Sequence, residues 1–281
     1  MFRVRKMEPK DFSFAVELAN TMNWNMTSGD FEFNMELEPN GCFILQEDLE
    51  PVGLATCISY GSVGWFGNLI VKEDYRKKGA GTALVNHAVN YLKRTGATTV
   101  GIYAYQHLTD FYRKLGFKRD VDFAVLKTSA VASLSGTDKN LKTIKAQDIS
   151  RVVDFDGACF GASRKKLLEL VLQNPRNLGY VAVEGSDIVG YAVAKVYDET
   201  AEIGPLVCQR NQPETALKLL KTVLCRLRGL EGYMYVPSDK AALLDVAFKA
   251  NFREEFRLAR MFLGSVVPQD CVYIAESLER G

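Results

Sequence analysis

The sequence predicts an α/β (α+β) protein made of two tandem domains of similar pattern. Three observations carry that expectation. Alternating strand-like runs and amphipathic helix-like runs interleave along the whole chain. A small polar stretch, residues 129–138, interrupts them near the middle and reads as a linker. Beyond it the same order of elements returns, with matching letters at matching places. The expected layout is a first domain over residues 1–128 and a second over residues 139–281, and a length of 281 residues suits two domains.

In the first half, residues 2–5 alternate as a first strand, and Asp11 can cap a helix whose apolar face is Phe12, Ala15, Leu18, Ala19 and Met22. Thr27 opens a second helix, with Asp30 three residues on to complete a capping pair. Strands follow at 42–46, 52–60 and 65–71, separated by Glu50-Pro51 and by Gly61 and Gly64. Residues 79–94 form an amphipathic helix, 98–105 a strand, 108–115 a short helix closed by Gly116, and 123–127 a last strand. In the second half, helices are expected at 148–159, 164–173, 214–227 and 240–249, and strands at 180–183, 189–196, 201–208, 233–236 and 259–262. Val52-Gly53-Leu54-Ala55 aligns with Val189-Gly190-Tyr191-Ala192. Without a gap, Tyr60 then meets Tyr197, Gly67 meets Gly204 and Leu69 meets Leu206. Duplication accounts for that ordering.

Composition narrows the function classes. Apolar residues are 47% and charged residues 25%, a soluble globular balance. Lys+Arg (35) and Asp+Glu (34) nearly cancel, which argues against nucleic acid as the main partner. No run of 18 apolar residues exists to span a membrane, and Met1-Phe2-Arg3-Val4-Arg5 lacks the apolar core of a secretory signal. Cys42, Cys57, Cys159, Cys208, Cys225 and Cys271 are scattered without a CxxC pair, and there are two histidines. Neither a metal site nor a disulfide framework is expected; reduced thiols in a cytoplasmic protein are.

The chemically informative segment follows the strand ending Leu69-Ile70-Val71. A basic, glycine-containing turn, Arg76-Lys77-Lys78-Gly79-Ala80-Gly81-Thr82, leads into the helix. Gly79 and Gly81 let backbone approach a ligand closely. The unpaired N–H groups of the helix's first turn, with the helix dipole, favour an anion there. Arg76, Lys77 and Lys78 add positive charge, so the segment outlines a pyrophosphate cradle. It is neither a GxxxxGK[ST] loop nor a GxGxxG turn.

With Leu69-Ile70-Val71, the spacing Arg76-x-x-Gly79-x-Gly81, and Phe111-Tyr112-x-x-x-Gly116-Phe117 in that order, residues 1–127 resemble the GNAT superfamily of N-acetyltransferases. The resemblance implies a mixed, mostly antiparallel sheet, splayed between two central parallel strands and flanked by helices, with acetyl-CoA in the opening. It implies that Leu69, Ile70 and Val71 pair with the pantetheine arm and that residues 77–82 wrap the pyrophosphate. Tyr112 is then the candidate proton donor to the departing thiolate, a role a phenol of ordinary pKa near 10 can fill at neutral pH. Family members often carry an asparagine seven residues before that tyrosine; here the position is Tyr105.

On the acceptor side, Trp24 and Asn25 between the first two helices, together with Tyr60 and Trp65, are the candidate groove residues. No general base stands out. His107, Glu73, Asp74, Asp30 and Glu32 read more simply as solvated or capping groups, and His87 as structural. The expected acceptor is a primary amine on a small molecule or a protein, and a homodimer is compatible with the sequence. A non-catalytic acyl-CoA sensor is the alternative reading of the same loop. The second half has 11 steps between Gly204 and Thr215, against 15 between Gly67 and Thr82, and Gln209-Arg210-Asn211-Gln212-Pro213 has no glycine. Aligning Phe252 with Phe117 sets Ala247 opposite Tyr112. The second domain is therefore expected to keep the fold without binding acetyl-CoA in the same way.

Overall fold

The computed structural model describes residues 1–134, 140–265 and 271–281. In the first half, β1 (Phe2–Lys6) precedes α1 (Phe12–Asn20) and α2 (Ser28–Leu37). The hydroxyl and backbone N–H of Thr27 both bond Asp30 at 2.8 Å, so the sequence-expected capping pair starts α2. Asp11 holds the entry to α1 differently: its carboxylate accepts from the Glu8 N–H at 2.9 Å and pairs with Arg5 at 2.6 Å. An antiparallel meander of β2 (Cys42–Glu47), β3 (Glu50–Ser59) and β4 (Val63–Val71) follows. Then come α3 (Ala80–Arg94), β5 (Thr99–Tyr105), α4 (Thr109–Lys114) and β6 (Lys118–Thr128). Ala80, Leu84, Val85, Ala88, Val89 and Leu92 make one buried stripe along α3, the helical period that drives it onto the sheet.

The second half repeats the plan. It comprises β7 (Lys142–Thr143), α5 (Ile149–Phe160), α6 (Lys165–Gln173), β8 (Leu178–Glu184), β9 (Asp187–Tyr197), β10 (Thr200–Cys208), α7 (Pro213–Arg226), β11 (Glu231–Pro237), α8 (Ala241–Lys249), β12 (Arg253–Gly264) and β13 (Val272–Ile274). Among the described residues, no helix is long and apolar enough to cross a membrane.

The two halves do not close separate sheets. Among the described residues all thirteen strands form one sheet, with the path β1-β2-β3-β4-β5-β12-β6-β11-β10-β9-β8-β7 and β13 on β10. The last strands are exchanged. β12, from the second half, pairs antiparallel with β5, Leu258 opposite Tyr105 through Gly264 opposite Thr99. β6, from the first half, pairs with β11, Thr128 opposite Gly232 through Phe123 opposite Pro237. β6 and β12 also pair with each other. Unpaired edge groups on β5 and β11 are thus satisfied by the other half's chain.

The cores follow the exchange. On one face α3 and α4 cover Phe66, Ile102 and Ala104, and Ala259 and Met261 of β12 belong to the same cluster. On the opposite face α5 and α6 bring Val152, Phe160 and Leu168 against both Trp65 and Val63 of the first half and Tyr191 and Val193 of the second. Lys166 of α6 pairs with Glu38, which also accepts from the Tyr91 hydroxyl at 2.5 Å. Residues 129–134 lie against the second half, with Val131 N–H on the Leu230 carbonyl at 2.9 Å and Ala132 N–H on Ala250 at 3.0 Å. The remaining expected linker residues, 135–138, lie outside the described residues.

One segment reaches both halves. Residues 271–275 enter the gap between β10 and β11. Leu206 pairs with Ile274, Cys208 N–H bonds the Cys271 carbonyl at 3.0 Å, and Ala275 N–H bonds Tyr235 of β11 at 3.0 Å. The chain then runs on to the first half, where the Tyr60 hydroxyl bonds the Arg280 carbonyl at 2.9 Å. A buried charge cluster fixes this course. Lys195 pairs with Glu276 at 2.6 Å and Glu202 at 2.7 Å, and Arg280 with Glu276 at 3.0 Å and Glu279 at 2.5 Å. Burial opposes ionisation of Glu276, but Arg280 and Lys195 overcome it and bring its carboxyl down to about 2.

Two outcomes are expected. Fragments 1–134 and 140–281, co-expressed, should co-purify as one folded particle while each alone aggregates; gel filtration with circular dichroism checks this. Glu276→Gln takes one carboxylate partner from each of two buried cations, leaving Glu202 to Lys195 and Glu279 to Arg280, and should cost about 1–3 kcal/mol in urea unfolding. Because the Glu276 carboxyl is depressed in the folded state, its stabilisation is present above the ordinary value of 4.5 and is lost as pH falls towards 2.

Candidate active site

β4 and β5 are parallel neighbours over three residues each, Val63–Trp65 beside Thr99–Gly101. Beyond them the strands part, and residues 66–71 of β4 face an opening. A bulge shapes this edge: between Thr56 opposite Gly67 and Leu54 opposite Ile70, β4 has two residues where β3 has one. Asn68, in the bulge, takes φ of +49° and bonds the Thr56 hydroxyl at 3.1 Å. Leu69, Ile70 and Val71 therefore border the opening, beyond the last residues that pair with β5.

At the end of β4 the chain turns through residues 72–79 into α3. Gly79 is the N-cap at φ +90°, a conformation that favours glycine. Ala80, Gly81 and Thr82 supply the first turn, whose N–H groups have no intrahelical acceptor. Arg76, Lys77, Lys78 and Gly79 are exposed. Arg76 is partly committed, since its Nε donates to the Val71 carbonyl at 2.9 Å. Lys78 lies 5.8 Å from the Tyr75 ring centre. The loop has the positive charge and donor-rich helix end that suit a pyrophosphate.

Tyr112 on α4 is 5% exposed and packs against Phe66 and Phe117, with ring centres 6.3 and 5.8 Å away. Burial pushes its phenol above the ordinary value, so it stays protonated at neutral pH. Phe66 and Gly67 are successive strand residues and point to opposite faces, which places Tyr112 on one face of β4.

The acceptor-side candidates separate. Trp24 is half-buried, and its Nε1 donates to the Tyr105 hydroxyl at 2.9 Å. Tyr105, which stands where family members often carry an asparagine, thus holds the loop between α1 and α2, and its ring neighbours His107 and Phe256 of β12. Asn25 is exposed at φ +52° beside it. Tyr60 and Trp65 do not line an open groove: they are 5% and 0% exposed, beneath α5, α6 and residues 280–281. Asp30 caps α2, Glu32, Glu73 and Asp74 are exposed, and His87 packs edge-on to Phe43 with ring centres 4.6 Å apart.

Glu279 escaped sequence reasoning. A Cβ built on Gly67 would lie 2.5 Å from the Glu279 Cα, so the segment crosses β4 in direct contact with its backbone. At the equivalent Gly204 a Cβ would lie 2.0 Å from the Ala275 carbonyl oxygen. The glycine shared by both copies was the available signal: each makes room for the same passing segment.

The second half lacks the counterpart site. Four residues separate β10 from α7, against eight between β4 and α3, and α7 begins at Pro213. Ala247, buried on α8, takes the place of Tyr112. The opening between β10 and β11 is filled by residues 272–275. Among the described residues, no three His, Cys, Asp or Glu side chains form a metal-binding group, and all six cysteines are free thiols.

Comparison with known proteins agrees with this geometry. Residues 6–117 match the acetyltransferase (GNAT) family and residues 152–274 an acetyltransferase (GNAT) domain. A holothin acyltransferase from Pseudoalteromonas is 23% identical over 91% of this chain and 85% of its own. The crystal structure of a Pyrococcus horikoshii chain assigned as an acetyltransferase has a TM-score of 0.79 at 23% identity, covering 100% of this chain and 96% of that one. A tandem GNAT protein of the clavulanic acid biosynthesis pathway has a TM-score of 0.63 at 12% identity, covering 95% and 100%. The chain belongs to the GNAT acetyltransferases and is a two-domain, acyl-CoA-dependent acyltransferase.

Calorimetric titration with CoA should give one site per chain, abolished by charge reversal at Lys77 and Lys78 and unaffected by reversal at Arg210. A stoichiometry of two would contradict the filled second opening.

Proposed function

We propose that this protein transfers the acetyl group of acetyl-CoA to a primary amine by direct attack in a ternary complex, at the first-half opening alone. The observation that carries the reading is the coincidence at one opening of an unpaired β4 edge, the α3 N-terminus with Gly79 at φ +90°, and a buried, protonated Tyr112. The N–H groups of residues 80–82, with Lys77 and Lys78, hold the pyrophosphate. Leu69, Ile70 and Val71 align the pantetheine arm. Backbone at the Asn68–Leu69 bulge is the best-placed donor to the thioester carbonyl as negative charge develops there. Tyr112 protonates the departing sulfur. Trp24 and Asn25 border the acceptor's approach.

A thiol-release assay with acetyl-CoA and a panel of primary amines tests the reading. The expected result is amine-dependent thiol release and acetylated product by mass spectrometry. CoA binding without turnover on any amine would favour a sensor instead. Tyr112→Phe should lower kcat about 10²-fold with little change in the KM for acetyl-CoA; unchanged turnover removes Tyr112 from the proton-donor role.

A further inference from the structure

We infer that Glu279, carried across from the second half, is the general base of this site and takes a proton from an alkylammonium acceptor on the face of β4 opposite Tyr112. The inference rests on the acetyl-transfer reading above.

The placement is the first argument. Glu279 lies against Gly67, the residue immediately before the Asn68–Leu69 bulge. Phe66, whose ring meets Tyr112, points to the other face. Tyr112 and the Cα and Cβ of Glu279 therefore flank the same few residues of β4, one on each face, with the Glu279 carboxylate 2.5 Å from Arg280. Direct attack uses two such groups, because a base must reach the amine nitrogen and an acid the sulfur, which become separate substituents of one tetrahedral carbon.

The second argument is charge. Three carboxylates (Glu202 of β10, Glu276 and Glu279) share two cations (Lys195 of β9 and Arg280), with the Tyr235 phenol of β11 beside them. Glu276 is fully buried and doubly paired, whereas Glu279 keeps 21% of its side chain exposed. Burial pushes the Glu279 carboxyl above the ordinary range. Arg280 opposes this, while Glu202 and Glu276 add to it. The raised Glu279 carboxyl is a stronger base than an ordinary glutamate, and its partial exposure leaves it open to a ligand. The aromatic side chain of Phe33 on α2 lies under Arg280, 5.2 Å from its guanidinium carbon, and supports the segment from the far side.

The proton balance closes. The ammonium gives one proton to the Glu279 carboxylate, and the freed lone pair forms the C–N bond. The C–S bond breaks with its electrons on sulfur, which takes the Tyr112 proton. The second nitrogen proton, lost as the amide forms, returns through solvent to the phenolate, and Glu279 releases its own to solvent. The sum converts ammonium and thioester to amide, thiol and one proton.

The test compares wild type, Glu279→Gln and Glu202→Gln with two acceptors: the best alkylamine of the panel, and methoxyamine, which is already unprotonated near neutral pH. Glu279→Gln should lower kcat/KM for the alkylamine about 10²-fold or more, leave methoxyamine within a few-fold, keep CoA affinity, and abolish the acid limb of the pH profile. Glu202→Gln removes a negative neighbour, so the acid limb should move to lower pH. Equal losses with both acceptors mean a purely structural role and overturn the assignment, as does an unmoved acid limb in either variant. No thiol release from the wild type with any amine overturns the acetyl-transfer reading itself, and the base with it.

Discussion

The hydrogen-bonding edge of β5 must be paired, and the strand that pairs it, β12, belongs to the other half of the chain. The same holds for β11, completed by β6. Much of the architecture follows from these exchanged edges. They join two duplicated units into one sheet, bring Ala259 and Met261 into the core beneath Tyr112, and set Phe256 beside Tyr105. Because the exchange buries apolar side chains on both faces, the first-half site rests on a foundation that the second half supplies.

The second half therefore has a purpose despite its lost loop. Its own opening is filled by residues 272–275, which make backbone pairings of the kind an extended ligand arm would make. From there the segment continues to β4, so the sealing of one opening and the furnishing of the other are two ends of one stretch of chain. The buried cluster of Lys195, Glu276 and Arg280 holds its middle. Ion pairs of this sort add less net stability than their Coulomb energy suggests, because desolvation offsets them, but they specify one course through the interior.

Local features were legible in the sequence because their causes are local. The Thr27–Asp30 cap, the apolar stripe of α3, the glycine turn before it and the short α4 bearing Tyr112 each depend on residues a few positions apart. The four-residue shortening before α7 was equally plain. The strand exchange was not, since the alternation in β6 suits either β5 or β11 as neighbour and carries no label for which. β13 was too short to stand out from its surroundings. Tyr60 and Trp65 looked like groove residues because what covers them, α5, α6 and residues 280–281, comes from the other half of the chain; the Tyr60 bond to Arg280 spans 220 residues. Gly67 and Gly204 did mark that cover, as two positions where another backbone passes too close for a side chain.

The exchange also has a consequence for synthesis. When the ribosome has finished residue 128, β5 has not yet met the strand it will finally lie beside, because residues 253–264 are still to be made. Val100, Ile102 and Ala104, buried in the finished protein, wait beside that edge while the intervening chain is translated. Contacts of such long sequence separation form late. The nascent protein is thus committed to a period in which its first half presents an open edge to the cell, closed only once residues 253–264 have emerged.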